Sequence, residues 1–318
     1  ERAGSGDGDS LREDGMIGVY LQRRSDLKIL GSTLDVMQRR GLRFGWINHV
    51  DDKEPLQPGD LDRWRADKRA GLDAKVILTK ETSGLPSWDV PAIAIPYFWD
   101  DRLAPSPPER IICYTSERHR AFTAALHGAR DPARSPIVGW TMADGFFDEH
   151  PTRAVLSRKP YTVLFTMKRR VPEPWRHSIR GRLWYWMTCR HIRRNVRNGG
   201  GTLVVKSRVK HGDPWWLRRL GQYYLDNPIY PHIGATLIRQ AQEVVHFGSG
   251  VAWEAMAAGV PHRMYRVPRP HLAGLPGQQD IERTVDGTVS REEFLRDWIG
   301  VLDGKAGERV ADVIEEQL

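Results

Sequence analysis

From residue 16 onward, short apolar runs alternate with stretches whose apolar residues recur every three or four positions. Met16–Leu21 is a compact apolar run and predicts a strand. Over Asp26–Arg40, Leu27, Leu30, Leu34 and Met37 share one helical face, and Gly41 follows as the residue that most readily ends a helix. Leu42–Val50, Lys75–Lys80, Ala92–Phe98 and Arg110–Thr115 are the next strand candidates, the last leading into a helix near Glu117–Leu126. A second series begins at Thr162–Met167 and continues with Thr202–Lys206, Val244–Phe247 and His262–Val267. Its helices are expected near Arg176–Arg197, Trp215–Leu225, Ile233–Gln242 and Val251–Ala258, and the tail Arg291–Leu318 carries two more helical patterns. Strands separated by helices give a parallel sheet covered on both faces. Two such series predict an α/β protein of two Rossmann-like domains facing a central cleft.

The polar segment Asp148–Pro160, after Pro136–Met142, marks the expected boundary. The expected divisions are residues 1–15, a Gly-, Ser- and acid-rich lead-in expected to be disordered; 16–150, an N-terminal α/β domain; 160–290, a C-terminal α/β domain; and 291–318, C-terminal helices. A length of 318 residues with 40% hydrophobic content suits two cores. No apolar run approaches the roughly 20 residues of a membrane span. Cys113 and Cys189, far apart and without metal-ligand spacing, fit a reducing compartment, hence the cytoplasm or the inner face of its membrane. The net charge of +8 points to an anionic partner. Between Glu173 and Asp213 there is no acidic residue, while ten arginines and lysines fall there, beginning at Arg176 and ending at Lys210.

Residues Glu243–Pro261 carry the most specific chemistry. A buried strand runs into Gly248-Ser249-Gly250 and then a helix rich in alanine, stopped by Gly259-Val260-Pro261. Such a unit turns free N–H groups and the positive end of a helix toward a phosphate, and Glu254, one turn on, is placed to accept from a ribose diol. A turn that needs glycine for backbone reasons alone is the plain alternative. A dinucleotide fingerprint fits worse, because three glycines at fixed spacing near the chain start and an acid about 20 positions on are lacking. Val204–Pro214 reads as a strand running into a loop with four basic groups and Ser207; Lys206, Arg208 and His211 are suited to neutralising a diphosphate leaving group, and a solvated basic loop is the plain alternative. Asp60-Leu61-Asp62 resembles a metal-binding pair, but no strand feeds it and a helical pattern follows, so Asp60 reads as a helix N-cap and no metal is expected there. Trp175–Arg197 interleaves Ile179, Leu183, Trp186, Met187 and Ile192 with the six arginines that follow Arg176. Packing of that apolar face on the second sheet is preferred over contact with an anionic membrane surface. Nucleic acid is disfavoured, since no nucleic-acid motif accompanies the charge.

Together, Ile137–Asp144, Val205–Arg208 and Phe247–Glu254 resemble, in order and spacing, the interdomain and donor-domain motifs of GT-B-type surface-polysaccharide transferases, particularly the CDP-glycerol glycerophosphotransferase and capsule-biosynthesis group. Thr141 stands where that group has proline, and Pro96–Asp101 replaces its first-domain His-Gly segment. The resemblance implies metal-independent transfer of a glycosyl or glycerophosphoryl group, without a cofactor. The donor would be a CDP-, UDP-, GDP- or CMP-linked compound, held by Lys206, Ser207, Arg208, His211, Gly248, Ser249, Gly250 and Glu254. The acceptor would be a glycan or lipid-linked hydroxyl, and Asp100 or His49 would be the catalytic base, Asp100 being preferred for the Tyr97-Phe98-Trp99 run before it. A nucleotide-sugar 2-epimerase and a catalytically silent scaffold of the same fold are the alternatives.

Overall fold

A computed structural model describes residues 15–48, 55–66, 74–81, 85–96, 107, 109–148, 160–166, 178–207, 213–225, 229–247, 250–265 and 290–318. The first sheet holds β1 (Met16–Leu21), β2 (Phe44–Asn48), β3 (Ala74–Glu81), β4 (Ala92–Pro96) and β5 (Ile111–Ile112). All are parallel, in the order β2-β1-β3-β4-β5. Helix α1 (Leu27–Arg39) covers it with the face the periodicity marks: Leu27, Leu30, Leu34 and Met37 are all fully buried. Gly41, at φ +74°, ends the turn that follows. Helix α2 (Glu117–His127) starts at Ser116, whose hydroxyl accepts from the His119 N–H.

The second sheet holds β6 (Tyr161–Phe165), β7 (Thr202–Lys206), β8 (Gln222–Tyr224), β9 (Glu243–His246) and β10 (His262–Met264), again all parallel, in the order β10-β9-β6-β7-β8. The strand order reverses direction at β6. The carboxyl ends of β6 and β9 therefore flank the crevice in which open α/β sheets bind ligands. The two architectures of parallel strands and covering helices are those of Rossmann-like domains.

Helices α3 (Thr141–Asp144), α4 (Ile179–Asn198), α5 (Ile233–Arg239) and α6 (Val251–Ala258) precede a closing pair. Helix α7 (Arg291–Phe294) continues as a π turn over Leu295–Ile299, and α8 (Ala306–Glu315) follows. This closing segment lies on the first domain. Thr115 and Ser116 hydroxyls donate to the carbonyls of Trp298 and Asp297, each at 2.7 Å. Helix α8 packs so tightly on α1 that a Cβ on Gly307 would stand 2.8 Å from the Ser32 carbonyl carbon. The Asp144 carboxylate accepts the first free N–H groups of α8, from Gly307 at 2.8 Å and Ala306 at 3.2 Å. Burial nonetheless pushes its pKa up to about 6.

Three expectations need correction. Trp215–Leu225 is not one helix: a 3-10 turn at Trp215–Arg219 gives way to β8, and Gly221 between them approaches the Leu203 carbonyl too closely for any side chain. Asp60 caps no helix, because residues 58–63 form successive turns; its carboxylate instead pairs with the Arg24 guanidinium at 2.5 and 2.7 Å and accepts the Gln57 N–H. Helix α4 buries Gly181, Tyr185, Cys189 and Ile192 against the second sheet and leaves Ile179, Leu183 and Met187 outside.

Candidate functional site

The crevice above the second sheet gathers side chains from four elements. Lys206 ends β7 and is buried, its stem beside Gly234 of α5 and its ammonium 5.3 Å from the centre of the Phe165 ring. The backbone on either side is tied down: the Thr166 N–H donates to the Lys206 carbonyl and the Ser207 N–H to the Tyr224 carbonyl. Ser207 is itself buried. Asp213 accepts from the Tyr223 hydroxyl at 3.1 Å. Burial raises its pKa, against the pull of Tyr223 and of the Lys206 charge.

Glu254 is at the centre. Helix α6 can press close to the sheet because Ala252, Ala255 and Ala257 are small and buried, and this carries the carboxylate into the interior. Its Oε2 stands 3.1 Å from Nε2 of His232, the residue that enters α5. Its Oε1 stands 3.2 Å from the ammonium of Lys28, in the first turn of α1, so the first domain contributes to the same cluster. Burial works to raise the Glu254 pKa, but Lys28, His232 and Lys206 together hold it well below the usual carboxylate range. His232 is pushed down to about 4, chiefly by burial and then by Lys28, with Glu254 opposing. The ring is therefore neutral at pH 7, with its proton on Nε2 facing the carboxylate. Its Nδ1 lone pair is buried and has no partner among the described residues.

The first domain meets this cluster through a close seam. Gly31 of α1 lies against Tyr230, two residues before His232; a Cβ there would come within 2.1 Å of the Tyr230 Cβ. Gly145 lies against the edge of the same ring, and the Tyr230 hydroxyl donates to Asp148.

Of the residues expected from the sequence, Lys206, Ser207, Glu254 and Gly250 lie around this crevice, with Gly250 as the residue from which α6 begins. His49, Asp100, Arg208, His211, Gly248 and Ser249 lie outside the described residues. Lys28 and His232 were not anticipated. Lys28 follows β1 at the carboxyl end of a central strand, and that position was the available signal; His232 stands at a helix entry after Tyr230-Pro231, a weaker one.

Two Rossmann-like domains, each with its crevice at the carboxyl ends of a parallel sheet and the two meeting through α1 and α6, define the GT-B fold. Solved structures of that fold match nearly the whole chain. The wall teichoic acid polymerase TagF, in a form soaked with CDPG, aligns over 96% of this chain and 88% of its own at 12% identity and a TM-score of 0.57. The Staphylococcus aureus MnaA–UDP co-structure aligns over 95% and 96% at 11% identity and a TM-score of 0.56. The UDP-GlcNAc 2-epimerase of Methanocaldococcus jannaschii aligns over 95% and 99% at 11% identity and a TM-score of 0.54. No protein-family model matches the sequence, and no curated protein matches it.

Proposed function

We propose that the protein binds a nucleotide-activated donor in the crevice above β6, β7 and β9 and transfers its glycosyl or glycerophosphoryl group to a glycan or lipid-linked hydroxyl. One observation carries this reading: Lys206, His232 and Glu254 converge at the carboxyl end of the second sheet, and Lys28 reaches them from the first domain. Lys206 and Lys28 provide positive charge for a diphosphate as it leaves, the task a metal performs in other transferases. Glu254 keeps lone pairs beyond those used by Lys28 and His232, enough to accept from a ribose diol. Neutral His232 orients that carboxylate. In this reading Ser207, Arg208, His211, Gly248, Ser249 and Gly250 complete the donor seat, and Asp100 or His49 takes the acceptor proton. The fold likeness to structures carrying UDP or soaked with CDPG supports a nucleotide ligand.

Calorimetric titration with CDP-, UDP-, GDP- and CMP-linked compounds, in EDTA and again in magnesium, tests the proposal. Equal binding in both is expected, whereas a strict need for magnesium would overturn the role given to the two lysines. Asp100→Asn and His49→Ala, assayed side by side for turnover, decide the base: its loss costs about 10²–10⁴-fold. A 2-epimerase is the second reading, favoured by the epimerase of this fold and by the buried His232–Glu254 pair. Interconversion of UDP-sugars without an acceptor would establish it. Tight donor binding with no turnover in either assay would mark a silent scaffold.

A further inference from the structure

Helix α4 has two apolar faces. The inner one, Tyr185, Cys189 and Ile192, is buried against the second sheet. At 3.6 residues per turn, Ile179, Leu183, Trp186 and Met187 fall on roughly the opposite side. There Ile179 is 85% exposed, Leu183 52% and Met187 56%. This is a contiguous stripe on one helix, unlike the scattered apolar residues normal to a protein surface. Arg190, Arg194 and Arg197 continue the same line along the second half of the helix, and Arg180 and Arg182 flank its start; all five are exposed. None of them makes an ion pair with a described residue. Arg190 instead lies over the Trp186 ring at 4.6 Å. The acid-free run from residue 174 to 212 means that no carboxylate nearby in sequence neutralises this field. Beside the helix, where Trp216 contacts Tyr185, Trp215 is also exposed with Arg219 stacked on it.

We infer that the outer face of α4 docks on an anionic phospholipid bilayer. The helix lies in the plane of the headgroups, with Ile179, Leu183 and Met187 entering the acyl boundary and the arginines on lipid phosphates. A water-soluble partner protein would answer to the apolar stripe, and a polyanion to the arginines. The two together on one face, with tryptophans at the margin, match an interface that is apolar below and negative at its surface. This inference stands apart from the nucleotide reading, since neither Lys206 nor Glu254 takes part.

Flotation with vesicles tests it, comparing phosphatidylcholine alone with phosphatidylcholine containing about 30 mol % phosphatidylglycerol. The full chain is expected to float with the anionic vesicles and not with the neutral ones. Leu183→Gln with Met187→Gln should lower partition by about tenfold or more. Arg190→Gln with Arg194→Gln should lower it by roughly fivefold per arginine, and high salt should mimic that loss. All four side chains are at least partly exposed and outside the crevice, so melting temperature and donor titration without vesicles should match the parent. Absence of flotation, or flotation undiminished in both pairs of substitutions, overturns the inference. So does concentration-dependent dimerisation that Leu183→Gln abolishes, which would assign the stripe to a second copy of the chain.

Discussion

Lys28 and Glu254, 226 positions apart, meet at 3.2 Å, and a double-mutant cycle on them tests the geometry of the crevice directly. At an effective dielectric near 20, two unit charges at that separation attract by about 5 kcal/mol before desolvation is counted. Removing one partner of a buried pair typically costs about 3 kcal/mol, because the other charge is left without compensation. Lys28 is 17% exposed at its side chain, so water relieves part of the loss there. Lys28→Met keeps the length of the stem and Glu254→Gln keeps the shape of the carboxylate. Each alone should destabilise by about 2–3 kcal/mol, while the double substitution should cost about the same as either one, a coupling of about 2 kcal/mol. Urea unfolding of the four proteins, followed by tryptophan fluorescence, measures it. The sign with pH is also fixed. A carboxyl held below its ordinary value of 4.5 contributes stability that is present above that pH and is lost only as pH falls through the lower, native value. The coupling should thus be the same at pH 7 and pH 5.5. Glu254→Gln should also weaken donor binding about 10- to 100-fold. Energies that add to within about 0.5 kcal/mol would mean that the two side chains do not meet in solution, and the first domain's part in the site would fall with them.

Gly31→Ala should destabilise by about 2 kcal/mol or more despite the better helix propensity of alanine, because its methyl would collide with the Tyr230 stem; thermal melting measures this. His232, lowered from 6.5 to about 4, favours the unfolded state as pH falls from 6.5 through 4, by about 3 kcal/mol in all. His232→Gln should flatten that limb of a stability–pH curve. Asp144 has the opposite sense: raised from 3.8 to about 6, it removes about 3 kcal/mol of stability as pH rises across that window. Asp144→Asn should abolish that fall in denaturation curves taken from pH 4 to 8.

Local pattern carried the strands and helices that bury one face. Thr202–Lys206 and Val251–Ala258 have the bounds their composition suggests, since β-branched residues in one and alanine with a glycine stop in the other leave little choice. Trp215–Leu225 misled because Leu217 and Leu220 stand at helical spacing, whereas Pro214, Gly221 and the open edge of β7 dictate a turn and a short strand. In α4 the sequence shows apolar residues all round, and only the packed sheet decides that Tyr185 and Cys189 face inward. Lys206 and Glu254 were legible because each sits at a strand end or helix start with a recognisable local form. Lys28 and His232 were not, because their roles arise from contacts between distant segments that no spacing rule encodes.

The clasp between Asp144 and the start of α8 has a consequence for biosynthesis. The two partners are separated by 162 positions of chain, and everything from β6 to β10 is translated in between. At ordinary elongation rates that interval is roughly 10–30 s. Throughout it, the nascent first lobe carries α1 with its α8-facing side bare and Asp144 without the N–H groups it later holds. The lobe that emerges first is thus completed last, and on the ribosome the apolar surface under α8 is where a chaperone would bind and where a stalled chain would aggregate.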